Sequence, residues 1–186
     1  MLRRMAPDPV EIHEYSTEWP GQFKRIAGLL RTSLSDVALR IDHIGSTAVP
    51  GMAAKPIIDI QVSVVSLDPI EPFLKPLESA GWVWDRDNTE LTKHFFREPP
   101  GFPRIHLHVR RLGSWHEQLA LLFRDYLRQH PADCAQYEQI KRVAAITHRD
   151  DRAKYGDAKT PIIWEIIQKA DRWAGTTGWE PSSSDA

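Results

Sequence analysis

The chain is short of cysteine, of long apolar runs and of net charge, and each shortage removes a class of function. Cys134 is the single cysteine, so no internal disulfide can form, which fits the reducing cytoplasm as the expected location. Its setting, Asp133-Cys134-Ala135-Gln136-Tyr137, reads as an ordinary helix start rather than as a nucleophile's surroundings. The apolar runs are far too short to span a bilayer, and no membrane partner is expected. Met1-Leu2-Arg3-Arg4 is charged, but Asp8 and two prolines stand where a secretory signal needs apolar residues, so none is expected. With a formal net charge of −1, no overall field recruits nucleic acid, and any phosphate binding has to come from a local cluster. The seven tryptophans are not spaced as a stacking platform, so nucleic acid is not expected as a partner. No repeat or heptad pattern is visible.

What is present is ordinary globular material: 186 residues, 41% hydrophobic and 26% charged, enough for one domain with a core. Residues 1–14 are expected to be a loose N-terminal segment, 15–173 a single domain and 174–186 a flexible tail rich in Gly, Thr and Ser. Trp19-Pro20 opens a helix whose apolar face is Phe23, Ile26, Ala27, Leu30 and Leu34. Arg40 to Ile44 reads as a short strand, and Ser46 to Pro56 as a turn-rich connection. Ile57 to Val65 alternates, placing Asp59 and Gln61 on one face and Ile58, Ile60, Val62 and Val64 on the other. A helix over Pro69 to Ala80 precedes strand candidates at Trp82 to Trp84, Leu91 to Phe96 and Arg104 to Arg110. Three helices follow: one starting at a Ser114/Glu117 capping box, one from Asp133 to Thr147, and one from Thr160-Pro161. This order predicts an α+β domain, a mixed β-sheet covered by helices with a C-terminal helical extension.

Three groups of residues could carry chemistry. Asp59 follows Ser46 of the Gly45-Ser46 turn by thirteen residues. Glycine lets backbone approach an anion, serine adds a hydroxyl, and a carboxylate can hold a hard cation against phosphate oxygens. The plain alternative is a turn and a structural aspartate. His106 and His108, at i and i+2 of a strand, can share a divalent ion or flank a phosphate. With Arg104 and Arg110 they could equally be the solvent face of an edge strand. Lys55, Lys141, Tyr155 and Lys159 form the third group. Lys159 stands where a helix starting at Thr160 would already attract anions, and each lysine taken singly reads as solvated surface. Arg124-Asp125-Tyr126 reads as local ion pairing on a helix surface.

The run from His43 through Gly45-Ser46-Thr47-Ala48-Val49-Pro50-Gly51-Met52-Ala53-Ala54-Lys55-Pro56 to Asp59-Ile60 resembles the signature of the GrpB family. The likeness continues through His106-Leu107-His108-Val109, Leu122 to Arg128, Tyr137 with Lys141, and Tyr155 with Lys159, to Trp173. That family is placed in the polymerase-β-like nucleotidyltransferase superfamily, and a related domain is fused to some bacterial dephospho-coenzyme A kinases. The resemblance implies a nucleotidyltransferase-like fold in which Gly45 and Ser46 hold phosphate, helped by Lys55, Lys141 and Lys159. It implies that Asp59 is the first metal carboxylate and that the second falls on neutral Gln61, with His106 and His108 at the position of the later one. The implied cofactor is a divalent metal, Mg²⁺ or Mn²⁺ with Zn²⁺ as the alternative, held by Asp59, Gln61, His106 and His108. The implied catalytic residues are Asp59, His106 and His108, and the implied partners are a small-molecule nucleotide and an acceptor. Three functions fit: a metal-dependent nucleotidyltransferase-like enzyme, a non-catalytic module for a nucleotide or coenzyme A-like phosphate, or a metal-dependent hydrolase.

Overall fold

A computed structural model describes residues 9–186. Helix α1 (Trp19–Leu34) leads into strand β1 (Arg40–Ile44), which returns as β2 (Ile58–Val64) after a 3-10 turn at Ser46–Ala48. Then come α2 (Glu71–Ser79), the short strands β3 (Val83–Trp84) and β4 (His94–Arg97), and β5 (Ile105–Arg111). Three helices close the chain: α3 (Trp115–Gln129), α4 (Pro131–Thr147) and α5 (Arg152–Thr177). The strands form one mixed five-stranded sheet in the order β1-β2-β5-β4-β3, parallel only between β2 and β5. The α+β architecture expected from the sequence is therefore present, and no described helix is long and apolar enough to cross a membrane.

Alternation along the strands decides which face meets which helices. Ile41, Ile58, Ile60, Val62, Ile105, Leu107 and Val109 bury one face against Phe23, Ile26, Leu30 and Leu34 of α1 and Phe73 and Leu77 of α2. The opposite face carries the polar residues and is partly roofed by α3, whose Glu117 is fully buried above Gln61 and Ser63. A second apolar cluster joins Tyr126 and Leu127 of α3 to Tyr137 of α4 and Ile162 and Ile166 of α5.

Several local expectations change. Strand β5 lies between β2 and β4 rather than at an edge, and Arg110 on its polar face is buried. Helix α5 begins at Arg152, with Asp151 capping the Lys154 N–H at 3.0 Å, and Pro161 lies inside it. Lys159 is thus mid-helix, and no helix N-terminus assists it. The capping box does not form: Glu117 accepts from Gly113 N, Ser63 Oγ and Gln118 Nε2 instead, and Ser114 makes no side-chain cap. Arg124 is no surface residue. It is 1% exposed and donates to His43 O, Asp125 and Asp185 at 3.0, 2.7 and 2.8 Å.

The segment read as loose falls partly outside the described residues. From residue 9 onward it is packed: Val10 is buried, and His13 forms a β-bridge with Ala54. The segment read as a flexible tail is docked as well. Ser184 Oγ accepts from Ile41 N (2.8 Å) and donates to Ile41 O (3.0 Å), and Asp185 accepts from His43 N at 2.9 Å. These contacts satisfy the outer edge of β1, whose backbone groups would otherwise lack partners.

His43 provides a test of this packing. Its ring stacks on Phe23 at 4.8 Å and its Nε2 lies 3.0 Å from Thr47 Oγ1, while Thr47 donates to Ile57 O. Burial pushes the imidazole from 6.5 down to about 4, against the pull of Asp59 and Asp185. Below pH 6.5 the unfolded chain takes up a proton that the folded chain refuses until about pH 4, so stability falls with acidification across that window. The loss expected from this residue is about 3 kcal/mol. Denaturant melts from pH 7 to 4 should show His43→Phe losing less stability than the parent by about that amount, and parallel curves would contradict the assignment.

Candidate functional site

In the β1–β2 pairing Ile44 lies opposite Asp59, so the chain leaving β1 must pass directly beside the carboxylate. Gly45 makes that passage with φ 72°. A Cβ there would sit 2.5 Å from Asp59 Oδ2 and 3.0 Å from its Cβ. Glycine is needed twice, for the left-handed backbone and for the room. Ser46 then starts the 3-10 turn, closed by Ala48 N to Gly45 O at 3.3 Å and Val49 N to Ser46 O at 3.2 Å.

On the other flank the parallel β2–β5 register places His106 beside Asp59 and His108 beside Gln61. His106 Nδ1 is 3.0 Å from Asp59 Oδ1, and His108 Nε2 is 3.7 Å from the same oxygen. Burial alone would push the Asp59 carboxyl up, but the two imidazoles outweigh it and hold the group well below the usual carboxylate range. Burial pushes the His108 imidazole down, with Asp59 opposing.

Opposite the carboxylate stand three lysines and two tyrosines. Lys141 is 2% exposed, and its Nζ donates to Ala53 O at 2.6 Å and to Ser46 Oγ at 3.1 Å. Its ammonium also lies over the Tyr137 ring, 4.9 Å from the centroid. Lys55 and Lys159 both approach the buried Tyr155 ring, at 5.2 and 4.3 Å. Burial lowers Lys141 to about 7, with Glu138 opposing. Burial and the Lys55 charge bring Lys159 to about 8.

All of these groups except His108 border one cavity of about 250 Å³, lined by Gly45, Ser46, Thr47, Ala54, Lys55, Ile57, Asp59, His106, Tyr137, Lys141, Tyr155 and Lys159. The structure thus gathers most of the residues singled out in the sequence. His108 touches Asp59 from behind and does not line the cavity. Gln61 does not line it: its side chain is fully buried under α3, with Nε2 donating to Glu117 O at 3.1 Å. The tyrosine walls were the weakest signal in the sequence, although each stands one helical turn before its lysine, Tyr137 with Lys141 and Tyr155 with Lys159.

This donor set can be tested against metals. Ligand atoms of Asp59, His106 and His108 lie within 4.8 Å of one another, which suits a single divalent ion. One carboxylate with two imidazoles favours Zn²⁺ or Mn²⁺ over Mg²⁺. A pair of Mg²⁺ ions does not fit, because Asp59 is the only carboxylate lining the cavity among the described residues.

A mixed sheet with a Gly-Ser turn set against a strand aspartate defines a nucleotidyltransferase-like fold. The same fold is found in an RNA terminal U-transferase, with a TM-score of 0.50 at 15% identity over 69% of this chain and 41% of that one. The chain belongs to the GrpB family, whose model, described as GrpB protein, matches residues 9–169. The crystal structure of conserved protein GrpB from Enterococcus faecalis superposes with a TM-score of 0.75 at 31% identity, covering 86% of this chain and 98% of that one. A UPF0157 protein of Halalkalibacterium halodurans is 34% identical, over 87% of this chain and 83% of its own length. A dephospho-CoA kinase of Mycobacterium leprae is 37% identical over 87% of this chain but only 46% of its own length. The chain spans about half the length of such kinase relatives.

The close approach at Gly45 predicts a non-additive effect. Gly45→Ala should lower unfolding free energy by more than the roughly 1–2 kcal/mol of left-handed backbone strain. In an Asp59→Ala background the same change should cost less, because part of the obstruction is gone. Equal costs in both backgrounds, measured by denaturant unfolding, would contradict the contact.

Proposed function

We propose that the cavity binds the phosphates of a nucleotide-type small molecule, with one divalent cation held at Asp59, His106 and His108. The observation that carries this reading is the charge layout: three lysines and the Ser46 hydroxyl face a single carboxylate across one cavity. Burial first, and then the Lys55 charge, lower Lys159, and an anion between the two cations relieves their repulsion. A carboxylate already ionised beside two imidazoles is ready to take a cation, which would bridge to phosphate oxygens. Relatives named dephospho-CoA kinase make dephospho-coenzyme A the first ligand to try, with ATP as a general nucleoside triphosphate beside it.

Binding alone accounts for these features, because the second carboxylate that two-metal transfer needs is absent from the cavity. One observation favours a second reading, transfer of a nucleoside monophosphate to a small acceptor. His106 is held by Asp59 at the cavity wall, where an imidazole can take a proton from an acceptor hydroxyl. Pyrophosphate release with a mixture of acceptors distinguishes transfer from binding.

Thermal melts with ATP and dephospho-coenzyme A, with and without Mn²⁺, Zn²⁺ or Mg²⁺, test the reading. Nucleotide should raise Tm, Asp59→Asn should abolish the metal-dependent part, and Lys159→Met should weaken binding about tenfold. The shift should shrink between pH 7 and 9, because Lys159 near 8 must be protonated to hold an anion. A Tm unmoved by every nucleotide and metal would refute the proposal.

A further inference from the structure

Ser46 and Lys141 stand in a relation that anion binding does not require. Lys141 reaches 95 residues back along the chain to place its Nζ 3.1 Å from Ser46 Oγ, and a second bond to Ala53 O at 2.6 Å fixes its direction. The lysine is buried, yet among the described residues no carboxylate pairs with its ammonium, which bonds a carbonyl and a hydroxyl and lies over the Tyr137 ring. Ser46 itself sits on the turn beyond Gly45 with its side chain on the cavity. A hydroxyl on a tight turn, bonded to a desolvated amine and open to a cavity, is how serine–lysine nucleophiles are built.

We propose that Ser46 is a nucleophile activated by Lys141, accepting a phosphoryl-type group from a nucleoside triphosphate bound in the cavity. The inference rests on the phosphate-binding reading above. In the step, Ser46 Oγ forms a bond to the γ-phosphorus, the bond from that phosphorus to the bridging oxygen breaks so that the nucleoside diphosphate leaves, and the hydroxyl proton passes to neutral Lys141 Nζ. Lys55 and Lys159 border the same cavity and offset the charge of the leaving group. Burial brings Lys141 to about 7, so a substantial fraction is neutral at physiological pH. The charged and titratable groups around it are Glu138, Cys134 and Arg142 on its own helix and Lys159 on α5.

A fluorophosphonate tests the nucleophile separately from nucleotide binding, since the Ser46 Oγ–phosphorus bond forms as fluoride leaves. The full chain is incubated with ethoxy fluorophosphonate between pH 5.5 and 9, and the adduct is located by peptide mass spectrometry. Labelling should fall on Ser46, vanish in Ser46→Ala, and rise with pH around a midpoint near 7. Lys141→Arg, which keeps the charge but cannot take the proton, should slow it by about 100-fold or more. Lys141→Met, folded by its thermal melt, should be equally slow. Ser46 reacting no faster than other serines, or at the parent rate in either folded lysine variant, would overturn the proposal and leave Lys141 a structural anchor. Labelled Ser46 without any nucleotide-dependent Tm shift would sink the ligand reading and retain the nucleophile. The reverse pattern would retain only the ligand.

Discussion

Asp59 is a carboxylate near the start of an interior strand, and a charge in that position has to be compensated within the fold. The rest of the site follows from how this is done. Glycine at position 45 clears the space beside Oδ2, the neighbouring strand supplies two imidazoles, and the β1–β2 connection and the helices α4 and α5 supply one ammonium group each. The imidazoles are the main groups that keep the carboxyl ionised against burial. Among the described residues Lys55 and Lys159 form no ion pair with it and approach the Tyr155 ring, which leaves their positive charge available to a ligand.

The same rule holds β1 and α3 in place. Arg124 is the largest fully buried side chain, and its guanidinium ties the His43 carbonyl on β1 to Asp125 on α3 and Asp185 near the chain's end. Ser184 and Asp185 bond the outer backbone of β1, so the strand that delivers Gly45 and Ser46 is fixed on both sides. Glu117 does the corresponding work at the other end of the polar face, anchoring Ser63 and the Gly113 turn. Breaking a buried charge pair by removing one partner typically costs about 3–5 kcal/mol, so these contacts constrain the site even though none lines it.

Much of this was legible in the sequence because it rests on local rules. Period-two alternation over Ile58–Val64 and Ile105–Arg111 fixed which residues share a face, and that brought Asp59, His106 and His108 together once the two strands paired. The long ordered resemblance carried the fold and the lysines. Most of the misreadings involve partners distant in sequence. Gln61 kept the expected face, but a helix 56 residues on covers it, and spacing holds no record of that roof. Thr160-Pro161 has the chemistry of a helix start, yet α5 is already running, capped upstream by Asp151. Arg124 read as surface because its two distant partners, His43 and Asp185, lie 81 and 61 residues away. The Ser184-Asp185 tail has the composition of a frayed end and is docked by the open edge of β1 and by Arg124.

The most direct measurement is a crystal structure of the protein soaked with ATP and Mn²⁺. It should show phosphate oxygens within hydrogen-bond reach of Ser46 and Lys159, and one ion bound by Asp59 and His106. A nucleotide seated elsewhere on the surface, with the Asp59–His106 bond intact and the three lysines contacting only protein, would contradict the account.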